Sequence, residues 1–495
     1  MTQARAGGIL LPVSALPGPY GIGTLGRAAY EFVDFLAAAG QKYWQILPLV
    51  PLGAGNSPYM SPSSFAGNPL LIDLAPLYEE GLLTKQELQS AETGSPDRVD
   101  YGAVRENRDR LFHLAWTRGR TKYATQLLEF LDKDSGWLAD YALFMALQDH
   151  FQGKALHEWP EDIRLHTPKA VQEYSRLLAD ASAYHAFLQL LFFRQGAALR
   201  AYANEKGISI IGDLPIYVSP CSAEVWSYPE LFLLDDDLTP SSVAGVPPDL
   251  FSSTGQYWGN PLYNWPHHKT SHYGWWRRRG MHMARLYDVV RIDHFRGLHS
   301  YWSIPKGADT AAQGHWEQGP GMELVDILKD IPGLSLIAED LGDLDSDARA
   351  FITASGLPGM TILVYAFDPS DDSAYLPHNC GRSCVMYTGT HDTATFIEWL
   401  FGIANEAERA FAMEYLNLSE KEGFAWGAVR AAWASPAQLA IAPMQDLLGL
   451  GGDARTNTPG TTGPQNWSWR VRREALNPAV SRQLLHLTQL YRRGG

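Results

Sequence analysis

The sequence predicts an α/β chain folded as a (β/α)8 TIM barrel, with inserted, largely helical subdomains and no C-terminal β-domain. Three observations predict it. Eight short apolar, β-branched runs recur at 8–14, 43–49, 208–218, 289–295, 334–341, 361–367, 385–392 and 440–448, with helical patterning between most of them. Three of the later runs end in acids, as barrel strands do where catalytic groups collect at their C-terminal ends. Two stretches break the alternation and read as insertions. The expected organisation is a barrel built from 1–69 and 186–495, a helical insertion after strand two at 70–185, and an insertion after strand three at 219–284 that contributes substrate loops.

The first run, GILLPVS (8–14), reads as a buried strand. GIGTLG (21–26) follows, then a helix over 27–39 with Gly40 as its C-cap. Strand, glycine loop and helix form the setting of a dinucleotide fingerprint. Pro17 and Pro19 lengthen the connection, however, and no acid between Asp34 and Asp73 is available for a ribose, which argues against nicotinamide binding. The second run, 43–49, opens into NSPYMSPSSFAGNP (56–69), where Tyr59 and Phe65 favour a binding loop held on a scaffold.

From 70 to 207 the pattern is helical, with apolar residues three and four apart over 103–130, 137–151 and 170–205. The third run, 208–218, holds Asp213 among apolar neighbours. In the second insertion, GVPPDLFSSTGQYWGNPLY (245–263) has the glycines, prolines, acid and aromatics to form a pocket wall. The acidic run 235–237 and the basic run WWRRR (275–279) both read as solvated faces. His268 and His272 have ligand-like spacing, but Pro266 and Gly274 leave little room for a helix. Runs four to eight follow quickly, and a last helix over 478–493 ends the pattern.

Composition narrows the function classes. Of 495 residues, 45% are hydrophobic, which is ample for a large core. A net charge of −14 and a pI near 5.5 argue against nucleic acid, whose binding needs a basic face. Cys221, Cys380 and Cys384 are too few for a disulfide framework and read as free thiols in a reducing compartment. The N-terminus lacks a secretory pattern and no apolar stretch approaches about 20 residues, so a cytoplasmic location away from membranes is expected. The 16 Trp, 23 Tyr and 19 Phe are the informative excess, because aromatics in glycine- and proline-rich loops can stack on sugar rings.

The chemistry concentrates in VVRIDHFRG (289–297), where a strand runs into Arg291, Asp293 and His294. Charge at the end of an apolar strand must be paired or used. Glu339 and Asp392 end runs five and seven, and period-2 alternation puts Arg291 on the face of Asp293. Such a set suits retaining glycoside chemistry, which needs a nucleophilic carboxylate and a carboxylic acid about 5–5.5 Å apart. Arg291 favours the ionised form of Asp293, while Glu339 must hold a proton near neutral pH. His294 and His391 flank two of the acids and can bond sugar hydroxyls. A buried ion-pair network that only holds the barrel together is the structural alternative.

At this point the chain resembles a known family, the 4-α-glucanotransferases called amylomaltases or disproportionating enzymes. The resemblance rests on NSPYMSPSSFAGNP (56–69), GDLPIYV (212–218), AGVPPDLFSSTGQYWGNPLY (244–263), VRIDHFRG (290–297), IAEDLG (337–342), GTHD (389–392) and NTPGTTGPQNWSWR (457–470), in that order. It implies Asp293 as nucleophile, Glu339 as acid/base and Asp392 as transition-state stabiliser. It also implies substrate contacts from Tyr59, Asp213, Asp249, Trp258, Arg291, His294, His391 and Asn466. Pro220-Cys221 departs from the acidic residue the family often carries before Ser222. The implied partners are maltooligosaccharides and α-1,4-glucans, with no metal and no cofactor. A hydrolytic α-amylase or α-glucosidase, and a non-catalytic glycan-binding barrel, remain the alternatives at this stage.

Overall fold

The computed structural model describes residues 4–248 and 252–495. Its strands, in chain order, are β1 (Ala6–Leu10), β2 (Tyr43–Gln45), β3 (Ser209–Leu214), β4 (Ser242–Val246), β5 (Gln256–Pro261), β6 (Val289–Ile292), β7 (Ser300–Pro305), β8 (His315–Gln318), β9 (Ser335–Ala338), β10 (Gly359–Ile362), β11 (Cys384–Tyr387) and β12 (Leu439–Pro443). Eight of these form one parallel sheet in the order β10-β11-β12-β1-β2-β3-β6-β9. They correspond to the eight runs read from the sequence. β1 lies in the middle of the order, paired with β12 from Ala6↔Leu439 to Leu10↔Pro443. β9 and β10 share no ladder. They are joined by Ala338 N–H donating to the Pro358 carbonyl at 2.9 Å and Met360 N–H donating to Asp340 Oδ1 at 2.7 Å.

Each barrel strand is shorter than its apolar run. Residues such as 46–49 and 215–218 stay buried after the ladder stops. Their backbone turns away, so the polar residues that end the runs sit on loops above the strands. Burial and hydrogen-bonded pairing are separate conditions, and the apolar pattern reports only the first.

Between β2 and β3 the chain is helical, as expected, with long helices at Tyr101–Gly119 and Leu138–His150. A single helix, Ala179–Glu205, runs across the expected boundary at 185/186 without a break. Its Gln189 and Gln195 amides grip the backbone of Gly67 and Asp73, so it carries the 56–73 segment on its flank.

A second sheet, antiparallel with order β5-β4-β7-β8, was not expected in an insertion read as contributing substrate loops. Half of it comes from β7 and β8, which lie outside 219–284 altogether. Here tertiary pairing decides the structure of short aromatic segments whose local pattern is ambiguous.

Three smaller readings are corrected. Cys380 and Cys384 are joined by a disulfide across a turn at Gly381, whose carbonyl contacts both sulfurs, so only Cys221 is a free thiol. The helix Gly274–Leu286 presents Arg277 and Arg278 to solvent as expected, but Trp275, Trp276 and Arg279 on it are buried, and Arg279 donates to the carbonyls of Pro215 and Ile216 beyond β3. His268 does lie on a short helix, Trp265–Thr270, with Pro266 in its first turn, where the missing N–H costs nothing. It is a buried core histidine bonded to the Leu231 carbonyl.

Candidate active site

Asp293, Glu339 and Asp392 stand just beyond the C-terminal ends of β6, β9 and β11. The backbone carries the sheet pairing a little further at two of them. Asp293 N–H donates to the Leu214 carbonyl at 3.1 Å, and Glu339 N–H to the Ile292 carbonyl at 3.0 Å. Gly212 in β3 leaves room for the buried Tyr287 ring, from which a Cβ would lie 2.3 Å. All three acids line one cleft of about 990 Å³ together with Tyr59, Trp258, Arg291, His294 and Trp467.

Arg291 is the hub. Its buried guanidinium donates to both oxygens of Asp213 at 2.8 and 2.7 Å and to Asp293 Oδ1 at 3.0 Å, and it lies 4.0 Å from Glu339 Oε2. One cation therefore serves three carboxylates. Burial pushes both Asp293 and Glu339 above the usual carboxylate range, and Arg291 opposes this only in part. The sequence argument gave Arg291 the upper hand at Asp293; desolvation outweighs it. Two raised carboxyls around one guanidinium titrate as a pair.

Glu339 is held from below. Its Oε2 accepts the His294 N–H at 2.5 Å, and its Oε1 accepts the Leu341 N–H at 3.1 Å. His294 reaches that position with φ of 47°, left-handed backbone that a non-glycine residue adopts only under constraint. Burial pulls its imidazole down to about 4, so it is neutral near pH 7, and its ring meets Trp258 edge-on at 5.0 Å.

Asp392 differs in character. Burial pushes it up, but His391, Asn457 and Arg291 outweigh that and hold it well below the usual carboxylate range. Asn457 Nδ2 donates to its Oδ1 at 2.7 Å, and His391 Nε2 lies 3.1 Å from its Oδ2. The Tyr59 hydroxyl donates to Asp213 Oδ2 at 2.7 Å and sits 2.8 Å from His391 Nε2. With the Tyr59 hydroxyl donating to Asp213, its oxygen is free to accept from His391 Nε2, which also lies beside Asp392. Arg291, Asp213, Tyr59 and His391 thus form one continuous chain of polar contacts linking Asp293 to Asp392.

The eight expected substrate contacts fall into three groups. Tyr59, Trp258, Arg291 and His294 line the cleft. Asp213, His391 and Asn466 do not. Asp213 is 1% exposed, with its oxygens bonded to Arg291 and Tyr59. His391, 2% exposed, reaches the cleft only through Asp392 and Tyr59. Asn466 is buried under the 457–467 segment, where it accepts from Thr458 N–H and donates to Thr461. Asp249 lies outside the described residues.

Sequence reasoning missed several supports. Asn457 was quoted only as part of a motif. Glu224, fully buried, accepts from the Ser63 hydroxyl and Ser64 N–H, each at 2.8 Å, and so pins the segment that presents Tyr59. Asp446, 0% exposed, accepts from the Thr388 hydroxyl at 2.6 Å and Phe396 N–H at 2.8 Å, bridging the base of the loop that carries Asp392. An acid inside the apolar run 440–448, three residues after β12, is the signal that could have found Asp446. Among the described residues no group of three or more His, Cys, Asp or Glu is placed to hold a metal ion, and no helix is long and apolar enough to cross a membrane.

The sequence model for 4-alpha-glucanotransferase matches residues 11–476. The 4-alpha-glucanotransferase of Clostridium butyricum is 43% identical over 484 residues, covering 97% of this chain and 99% of its own length. That of Thermus thermophilus is 44% identical over 492 residues, covering 97% of each. Among solved structures, an amylomaltase from Streptococcus agalactiae in complex with acarbose superposes with a TM-score of 0.96 at 41% identity, covering 99% of this chain and 100% of that one. An amylomaltase from Corynebacterium glutamicum shares the fold, with a TM-score of 0.79 at 18% identity over 98% of this chain and 75% of its own.

Proposed function

The chain belongs to the 4-alpha-glucanotransferase family, and from that premise we propose that it moves α-1,4-glucan segments from a donor maltooligosaccharide to the 4-hydroxyl of an acceptor glucan or glucose by retaining double displacement. The observation that carries this reading is the convergence of Asp293, Glu339 and Asp392 on one cleft, from three different strands, around the single cation Arg291.

In the first half, an Asp293 oxygen attacks the anomeric carbon as the bond to the leaving O4 breaks, and the Glu339 proton goes to that oxygen. The product is a glycosyl ester on Asp293. In the second half, the Glu339 carboxylate takes the proton of the acceptor 4-hydroxyl. That oxygen forms the new bond to the anomeric carbon and releases Asp293 as carboxylate. Asp392, held ionised, faces the positive charge that develops on the sugar ring. Tyr59, Trp258, Arg291 and His294 contact the sugar directly. Asp213, His391 and Asn466 act through neighbours: Asp213 holds Arg291, His391 orients Asp392, and Asn466 shapes the 457–467 segment. Asp249 is assigned a substrate contact on the family pattern.

Transfer competes with water. At roughly 55 M water against about 10 mM acceptor the disadvantage is nearly ~10⁴, so acceptor binding and water exclusion must supply on the order of 5 kcal/mol. Incubation with maltotriose should give glucose and longer maltooligosaccharides with little gain in reducing ends. A steady rise in reducing ends without longer products would make the chain a hydrolase and sink the proposal.

A further inference from the structure

We propose that Trp316, held by Arg296, is the platform on which the second and later rings of an acceptor glucan rest. The inference builds on the transferase reading and assigns one flank of the cleft to the acceptor.

The two residues come from separate parts of the fold. Arg296 follows β6 by four residues, and Trp316 lies on β8 of the antiparallel sheet. The Arg296 guanidinium carbon lies 3.9 Å from the centre of the Trp316 ring. Arg296 is itself fixed, donating to the Asp343 carbonyl and, at 2.8 Å, to Asp345. Trp302, which faces Trp316 in the β7–β8 register, meets it edge-on at 5.1 Å and anchors its own indole N–H on the Ala311 carbonyl at 2.7 Å. The Trp316 indole is therefore pinned by a cation on its face and an aromatic at its side, yet it is 39% exposed and lines the cleft. A rigid, half-exposed aromatic in a wet cleft contributes contact area at low entropic cost.

The flank follows from the acid. In double displacement the leaving oxygen and the incoming acceptor oxygen both meet Glu339, so the acceptor lies on the Glu339 side. Arg296 stands two residues after His294, whose N–H bonds Glu339, and it is tied to Asp343 and Asp345, just after Glu339 in the chain. Asp392 is tied instead to Asn457 and His391 and, through them, to Tyr59 and the 457–467 segment. The Arg296–Trp316 pair thus belongs to the acceptor flank. A single glucose fills only the position against Glu339, and longer acceptors extend onto the indole.

The test compares wild type with Trp316→Ala and Trp316→Phe, using 4-nitrophenyl maltoside as a fixed donor and either glucose or maltotriose as acceptor. Loss of one ring–aromatic contact should lower kcat/KM for maltotriose as acceptor about 5- to 10-fold in Trp316→Ala, lower that for glucose less, and leave Trp316→Phe near wild type. Equal losses for both acceptors, no loss for either, or a rise confined to the donor KM would each overturn the assignment. Should Trp316→Ala fail to fold by circular dichroism, Trp316→Leu replaces it, and retained maltotriose selectivity there would overturn it equally. Wild type that releases 4-nitrophenol without forming longer products would refute the transferase reading itself, and this inference with it.

Discussion

Replacing Asp446 by asparagine should make the protein more stable at pH 8 and not at pH 4. Asp446 is fully buried, and burial pushes it up to about 6 from the ordinary aspartate value of 3.8, against the pull of Thr388 and Phe396. A carboxyl raised by folding gives its full stability below the unfolded value and loses it as pH climbs through the folded one. The gap from 3.8 to about 6, at about 1.4 kcal/mol per tenfold, amounts to about 3 kcal/mol subtracted at neutral pH. Asparagine removes that penalty and keeps the shape. Its oxygen can accept the Phe396 N–H, and its amide can donate to the Thr388 hydroxyl, which reverses direction. Exchanging one charged acceptor for a neutral one costs about 1 kcal/mol. The net expectation is a gain of about 2 kcal/mol at pH 8 that shrinks towards no change at pH 4, where the buried carboxyl is itself neutral. Asp446→Ala leaves the Phe396 N–H without a partner and should lose about 2–4 kcal/mol at both pH values. Urea unfolding followed by tryptophan fluorescence at pH 4, 5, 6 and 8 measures this. If Asp446→Asn changes stability by the same amount at every pH, the ionised carboxylate is not a burden, and the reasoning fails.

Asp293→Asn and Glu339→Gln should each reduce transfer from maltotriose by about 10³-fold or more with circular dichroism unchanged, and an Asp293→Asn variant that keeps most of its turnover would end the nucleophile assignment. The pH profile of kcat/KM should be bell-shaped with both limbs above the usual carboxylate range. Burial raises both members of the pair: protonating Asp293 removes the nucleophile on the acid side, and deprotonating Glu339 removes the acid on the alkaline side. An acid limb near pH 4 would contradict that.

The eight barrel strands were legible because each is a short apolar run between longer amphipathic stretches. Their ends were not, since residues such as 215–218 remain buried after pairing stops. The antiparallel sheet escaped for a related reason. β8 is HWEQ, mostly exposed, and becomes a strand only because β7 lies beside it. At the site, the strand-end acids announced themselves as charge in apolar surroundings. What one sequence does not carry is depth. Asp213 and Trp258 look alike as site candidates, yet one is buried against Arg291 and the other faces the cleft. Glu224 and Asp446 act on loops distant in sequence, and no local pattern encodes a partner 160 or 58 residues away.

The strand order of the barrel bears on how the cleft is assembled. β1, β2, β3, β6 and β9 pair in the order they are synthesised, and so do β10, β11 and β12. The barrel is therefore two arcs, joined by the β12–β1 ladder on one side and by the two hydrogen bonds between the β9 and β10 segments on the other. The first arc carries Asp213, Arg291, Asp293 and Glu339, and the second carries Asp392. A chain made only as far as β9 and the residue after it holds Asp293 and Glu339 without Asp392. The cleft with all three acids therefore exists only where both arcs meet, since neither arc alone carries Asp293, Glu339 and Asp392.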